Sequence, residues 1–162
     1  GGFINPETEE GKGTTFWVYL PVTEAETGAS ALKAVARSAR GKGERILAAD
    51  DDPLVLDVVE EFLKSSGYDV ITVQDGQEAV EKFRQERDRI DLVLLDVVMP
   101  RISGREAFRQ IRKLRPDVKV LFASGNHVDI PEAVEESGAA FIQKPYSLSE
   151  LLRSIRQILD RS

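Results

Sequence analysis

The sequence predicts an α/β fold, a doubly wound five-stranded parallel sheet carried by residues 44–162. Three observations support this. Short apolar runs recur five times between Ile46 and Ile142, and a segment with helical spacing follows each one. The runs are apolar throughout rather than alternating, as in strands covered on both faces. The whole chain has 162 residues, 41% of them hydrophobic and 31% charged, which is a globular composition.

The elements follow in order. Ile46-Leu47-Ala48-Ala49 is the first apolar run of this region. Val55, Val58, Val59, Phe62 and Leu63 then recur on one helical face, and Gly67 stops that helix. Val70-Ile71-Thr72-Val73 is the second strand, and Ala79, Val80 and Phe83 mark the next helix. Leu92-Val93-Leu94-Leu95 is the third strand. Ala107, Phe108, Ile111 and Leu114 mark a helix that ends before Pro116. Val118 to Ala123 is the fourth strand, followed by a short helix over roughly residues 131–136. Ala139 to Ile142 is the fifth strand. Leu148, Leu151, Leu152, Ile155 and Leu159 give a last amphipathic helix.

Charge and composition divide the chain. Residues 1–43 hold five bases and five acids, while residues 44–162 hold 17 bases and 23 acids, so the net charge of −6 resides in the second part. Residues 23–43 are rich in Ala, Gly and Ser and read as a linker, with a short helix expected over 31–40. The opening Gly-Gly in place of Met suggests an excised piece of a longer protein.

Composition also excludes chemistry. The absence of cysteine removes disulfides, thiolate metal sites and a cysteine nucleophile, and a single histidine removes multi-histidine metal sites. The acidic balance argues against a nucleic-acid surface. No apolar run approaches 18 residues and no signal-peptide pattern opens the chain, so a cytoplasmic setting without membrane contact is expected for this piece, with a membrane anchor elsewhere in the parent left open.

Open parallel sheets place their sites at the carboxyl ends of the strands. The first strand ends in Asp50-Asp51-Asp52, the third in Asp96 and the fourth in Ser124, and Lys144-Pro145 follow the fifth. Gln74-Asp75-Gly76, after the second strand, reads as a turn and helix cap. Asp52 before Pro53 reads as an N-cap with proline at the first helical position. Carboxylates gathered at one edge repel one another unless a cation joins them. Mg²⁺, a hard oxygen-seeking ion, suits them. A carboxylate beside Mg²⁺ can attack phosphorus, with the lysine and hydroxyl binding the other phosphoryl oxygens.

These motifs resemble the receiver domain of two-component signalling, the response-regulator phosphoacceptor domain. ILAADDDP resembles its first strand with the acidic pair, and LVLLDVVMPRISG the phosphoacceptor strand and the loop after it. LFASGN resembles the strand with the switch hydroxyl, and AAFIQKP the lysine strand. The resemblance covers residues 45–160. It implies a flavodoxin-like (βα)5 fold of strand order 2-1-3-4-5, with Asp96 as the phosphorylated residue. It further implies that Asp51 ligates Mg²⁺ directly, Asp50 through water, and Val98 through its backbone carbonyl. Ser124 and Lys144 would bind the phosphoryl group, Ser124 and Phe141 would form the switch pair, and Pro145 would be a cis-proline. Such a domain phosphorylates itself from a phosphohistidine donor and has no kinase activity of its own. Two small departures stand out. Ala48-Ala49 replaces a bulkier aliphatic pair, and Gly125 stands where alanine is common.

The first segment, GGFINPETEEGKGTTFWVYLP, resembles the last strand pair of a histidine-kinase ATPase domain over residues 1–22. The order of kinase end, linker and receiver implies a hybrid sensor histidine kinase. Its receiver would take phosphate from the kinase phosphohistidine and pass it to a histidine phosphotransfer protein, hold it as a sink, or regulate its own kinase. The open edge and apolar faces of Phe16 to Leu20 suggest packing on the receiver, across the linker, or pairing with the same strand of a second chain, a homodimer through these strands. His127, in a loop rather than on a long helix, reads as a surface residue and not a phosphate carrier.

Three rival readings exist. A haloacid-dehalogenase-type phosphatase shares the chemistry but leaves Asp96 unexplained and calls for an acidic pair beyond the lysine. A pseudo-receiver docking module predicts loss of a site residue, and every one is present. A dinucleotide-binding domain needs a glycine-rich turn after the first strand, which is absent.

Overall fold

The structure, a computed structural model, describes residues 2–9, 11–19, 39–125 and 139–161. The chain divides into two units, residues 1–31 and 32–162. The helix expected over 131–136, His127, and all but the end of the helix expected over 31–40 lie outside the described residues. No helix among the described residues is long and apolar enough to cross a membrane.

The first unit is an antiparallel hairpin of β1 (Phe3–Glu9) and β2 (Gly13–Tyr19). Gly11 and Gly13, at φ +78° and +103°, supply the left-handed turn that other residues would resist. The register pairs Phe3 with Tyr19 and Ile4 with Val18. Alternation therefore puts Ile4, Phe16 and Val18 on one face and Phe3, Trp17 and Tyr19 on the other. The Phe3 and Tyr19 rings stack at 4.5 Å, and Trp17 Nε1 donates to Glu7 at 3.1 Å. All six large apolar side chains are exposed.

The second unit contains β3 (Arg45–Ala49), α1 (Pro53–Ser65), β4 (Asp69–Val73), α2 (Gly76–Glu86), β5 (Leu92–Asp96), α3 (Gly104–Leu114), β6 (Lys119–Ser124), β7 (Ala140–Gln143) and α4 (Leu148–Leu159). The strands form one parallel sheet in the order β4-β3-β5-β6-β7, which is the expected 2-1-3-4-5 order. Side-chain alternation along each strand feeds two cores. Ile46, Ala48, Leu94 and Leu121 pack with α1 and α4, whereas Leu47, Ala49, Leu95 and Phe122 pack with α2 and α3. Both faces of the central strands are covered, which is why their interior residues are apolar.

Local signals start the helices. Asp52 accepts from Leu54 N at 2.9 Å and Pro53 occupies the first turn of α1. Asp75 caps α2 and Ser103 caps α3. Ser147 and Glu150 form a reciprocal capping box on α4. The buried face of α1 differs from the expected one. Leu56, Val59 and Leu63 are buried, and Val58 is 54% exposed. Val55 and Phe62 flank the stripe, so the helix turns slightly further toward Leu56 than the valine pattern implies. On α4, Leu151, Leu152, Ile155 and Ile158 are buried. Truncating one of these to alanine would cost about 2–5 kcal/mol.

The expected boundary at residue 43 also moves. Ala39 is buried, and its carbonyl accepts from Tyr68 Oη at 3.0 Å. Gly41 N donates to Ser66 O at 2.9 Å and Gly43 N to Gly67 O at 3.1 Å. A side chain at Gly41 would collide with the Gly67 backbone, so only glycine allows this approach. Residues 39–43 are thus part of the second unit rather than free linker. Next to them Glu44 accepts from Arg156 Nη1 at 2.6 Å.

Candidate functional site

The chain runs from β3 outward to β4, then returns to the other side of β3 for β5. That reversal opens a crevice at the carboxyl ends of β3 and β5. Each strand ends on the register that delivers a functional side chain there. Ala49 pairs with Leu95, so Asp50 and Asp96 emerge side by side. Asp96 pairs with Ala123 and Ser124 with Gln143, which brings the ends of β6 and β7 to the same edge.

Asp50, Asp51 and Asp96 each place a carboxylate oxygen within 4.8 Å of the others. Asp50 and Asp96 are buried and Asp51 is exposed, so the cluster opens to solvent on one side. Lys144 Nζ donates to Asp50 Oδ2 at 2.6 Å and stands 3.2 Å from Asp96 Oδ2. Asp50 Oδ1 also accepts from Asp52 N at 3.1 Å, which steadies the acidic turn. Ser124 is buried at the end of β6, and its carbonyl accepts from Lys144 N at 2.7 Å. The Lys144–Pro145 peptide is cis. Phe141 is partly buried on β7, paired in register with Phe122 and packed against the core of α2 and α3. Val98, in the loop after Asp96, is 66% exposed.

Burial pushes the Asp96 carboxyl above the usual carboxylate range. The Lys144 charge opposes this and the Asp50 charge reinforces it. Burial would lower Lys144, but its hydrogen bond to Asp50 and the charges of Asp96 and Asp50 outweigh it, leaving the amine above the usual lysine value. The two directions agree physically. One ammonium is shared between two carboxylates and lies nearer Asp50, so Asp96 is only partly compensated.

Three carboxylates against one ammonium leave an excess negative charge in a crevice of oxygen donors. That donor set fits a hard divalent cation such as Mg²⁺ and offers nothing to a soft one.

Two residues that the sequence did not single out lie against this site or on the loop that follows Asp96. Tyr146 lines a small cavity under Asp50 and Asp96 together with Ala48, Ala49 and Leu94, and its burial raises the phenol above the usual value. The small Ala48-Ala49 pair is the only sequence signal for that cavity. Arg101, at φ 64°, extends its guanidinium to Asp75 and Glu78. A lone cation between Pro100 and Ile102 gave no hint of this pairing.

Residues 46–156 match the response regulator receiver domain. The chain is 32% identical over 171 residues to sensor kinase CckA of Brucella abortus, covering 99% of this chain and 18% of the kinase. It spans about half the length of the response regulators it matches, such as MprA of Mycobacterium leprae, to which it is 40% identical over 121 residues, or 73% of this chain. Among solved structures it resembles the receiver domain of hybrid histidine kinase CckA, at 31% identity and TM-score 0.63, over 72% of this chain and 99% of that one. It also resembles TrrA of Thermotoga maritima, solved with Mg²⁺ and BeF, at 30% identity and TM-score 0.65, over 71% of this chain and 98% of that one. With the parallel sheet and the acidic crevice beside Lys144, these matches establish that this chain belongs to the response regulator receiver domain family, the phosphoacceptor modules of two-component signalling.

Proposed function

We propose that Asp96 accepts a phosphoryl group from the phosphohistidine of a histidine kinase, in a reaction that requires Mg²⁺. The observation that carries this is the placement of Asp96. It is a buried carboxylate at the end of a central strand, 3.2 Å from an ammonium and within 4.8 Å of two further carboxylates. Asp50, Asp51, Asp96 and the Val98 carbonyl are the groups that would hold the cation. When bound, Mg²⁺ supplies charge neutralisation for the acidic cluster and the incoming phosphoryl oxygens.

The chain's own residues do the rest. An Asp96 carboxylate oxygen attacks phosphorus in line with the leaving imidazole nitrogen. The new bond is O–P, the bond broken is P–N, and its electron pair stays on the imidazole, which then takes a proton from solvent. Lys144 offers its ammonium to a phosphoryl oxygen, and its pairing with Asp50 keeps it charged and aimed into the crevice. Ser124, one residue past the register partner of Asp96, offers its hydroxyl to another oxygen. Moving that hydroxyl frees space into which the Phe141 ring can turn, coupling phosphate to the β7 surface.

The parent protein on this reading is a hybrid sensor histidine kinase in a cytoplasmic setting, with residues 1–22 as the end of its ATPase domain. The alignment of nearly the whole chain with one sensor kinase supports it. The donor helix would seat on exposed Leu54 and Val58 of α1, which border a groove continuing to Pro145, Tyr146 and Leu148 beside the site. A histidine phosphotransfer protein is the proposed recipient, and the exposed hairpin edge a proposed contact between copies.

Intact-mass spectrometry after incubation with acetyl phosphate tests the acceptor. Wild type should gain one phosphoryl group only with Mg²⁺ present, and Asp96→Asn should gain none. Equal yield on the variant would overturn the assignment.

A further inference from the structure

The loop between Asp96 and α3 is held from two sides. A Cβ on Gly104 would collide with the Asp96 carbonyl, and one on Gly76 would collide with the Ile102 carbonyl, so the loop packs directly on the start of α2. Arg101 is the described non-glycine residue with a left-handed backbone, at φ 64°. That conformation is strained for a side-chain-bearing residue and persists where surrounding contacts enforce it. Its guanidinium meets the Asp75 carboxylate and lies 3.2 Å from Glu78 Oε1. Both acids are themselves anchored. Asp75 is fully buried and accepts from Glu78 N at 2.9 Å, while Glu78 accepts from Gln74 N at 3.2 Å.

We propose that Arg101 is a positioning residue, latching the loop after Asp96 to the capped start of α2 so that the Val98 carbonyl is aimed for divalent-cation binding. This rests on the Mg²⁺ reading of the acidic cluster. Mg²⁺ demands near-ideal octahedral geometry, so a loop carbonyl that wanders weakens binding even when every carboxylate remains.

The sign of the effect separates this role from simple electrostatics. Removing a positive charge near a cation site should tighten binding if only charge matters. Loss of a positioning contact should weaken it.

The experiment is a Mg²⁺ titration of the ¹⁵N-labelled full chain, followed by the amide shifts of Val97 and Val98. Arg101→Gly, which also relieves the backbone strain, should raise the Kd about tenfold, and Arg101→Lys should stay within about twofold of wild type. Arg101→Asn removes the same charge and contact with a residue that tolerates the left-handed backbone, and it should weaken binding in the same direction, which secures the test if Arg101→Gly folds poorly. An unchanged or lower Kd in folded Arg101→Gly, or in Arg101→Asn, overturns the proposal. Asp51→Asn serves as the control for the underlying reading. If wild type itself gives no saturable shifts, the Mg²⁺ assignment fails and the latch fails with it.

Discussion

Lys144 donates to Asp50 at 2.6 Å across 94 residues of sequence, and this pairing lies closer than its 3.2 Å approach to Asp96. The lysine therefore does two things before any phosphate arrives. It offsets part of the carboxylate repulsion, and it occupies space and charge that a divalent cation would otherwise command.

Lys144→Ala should separate those two roles. The remaining carboxylates lose their internal cation, so Mg²⁺ should bind roughly 3- to 10-fold more tightly, as expected for removal of one nearby like charge in a partly screened site. Phosphorylation by acetyl phosphate should fall by about 100-fold, because a charged donor to the phosphoryl oxygens is gone. Calorimetry and phosphorylation kinetics on the same protein check both signs. Weaker Mg²⁺ binding in the variant would contradict this view of the ion pair.

If Asp96 is the phosphoacceptor, Val98 should govern how long the phosphorylated form lasts. Hydrolysis needs a water aligned behind phosphorus, and the exposed Val98 side chain beside the acceptor has no group to orient one. Val98→Asn should shorten the half-life of phosphorylated Asp96 severalfold, measured by loss of the phosphoryl mass over time. An unchanged half-life would remove water alignment from the explanation.

Beryllofluoride, which mimics the phosphoryl group, should shift amide resonances well beyond the acidic loops. Ser124 and Phe141 lie on adjacent strands, with Phe141 paired to Phe122 two residues before Ser124. The expected shifts therefore reach residues 140–150, and Ser124→Ala should confine them to the neighbourhood of Asp50, Asp51 and Asp96. Identical shift maps for wild type and Ser124→Ala would count against the switch.

Glu44 and Arg156 give the fold a pH dependence far from the acidic crevice. Burial raises the Glu44 carboxyl, but the hydrogen bond from Arg156, the Lys42 backbone N–H and the Arg156 charge outweigh it and hold the group below its ordinary value. A carboxyl depressed in the folded state stabilises fully above its unfolded pKa, about 4.3. That stabilisation is lost as pH falls through the folded value. Glu44→Gln should therefore cost about 0.5–1 kcal/mol at pH 7, and the difference from wild type should shrink as the solution is acidified below about pH 4. Urea denaturation at pH 7 and pH 3.5 would show it. A constant difference across that range would mean the pair contributes no charge-dependent stability.

The sequence by itself determined what depends on short-range physics. Apolar runs, helical spacing and the caps at Asp52 and Asp75 are set by neighbours within a few residues, so elements and strand ends could be read directly, and with them Asp50, Asp51, Asp96, Ser124 and Lys144. Family motifs at those strand ends made the strand order legible as well. The tertiary structure alone decided which distant groups meet. That Leu56 rather than Val58 faces the core depends on how α1 settles against the sheet and α4. That Ala39 is buried depends on Tyr68 and on two glycines packed backbone to backbone. Whether Lys144 favours Asp50 over Asp96, and whether Arg101 finds Asp75, is set by the twist and register of strands far apart in sequence. A linear pattern records which side chains reach the strand ends. The angstrom-scale separations that select a charged pair arise only when the sheet closes and the loops pack against one another.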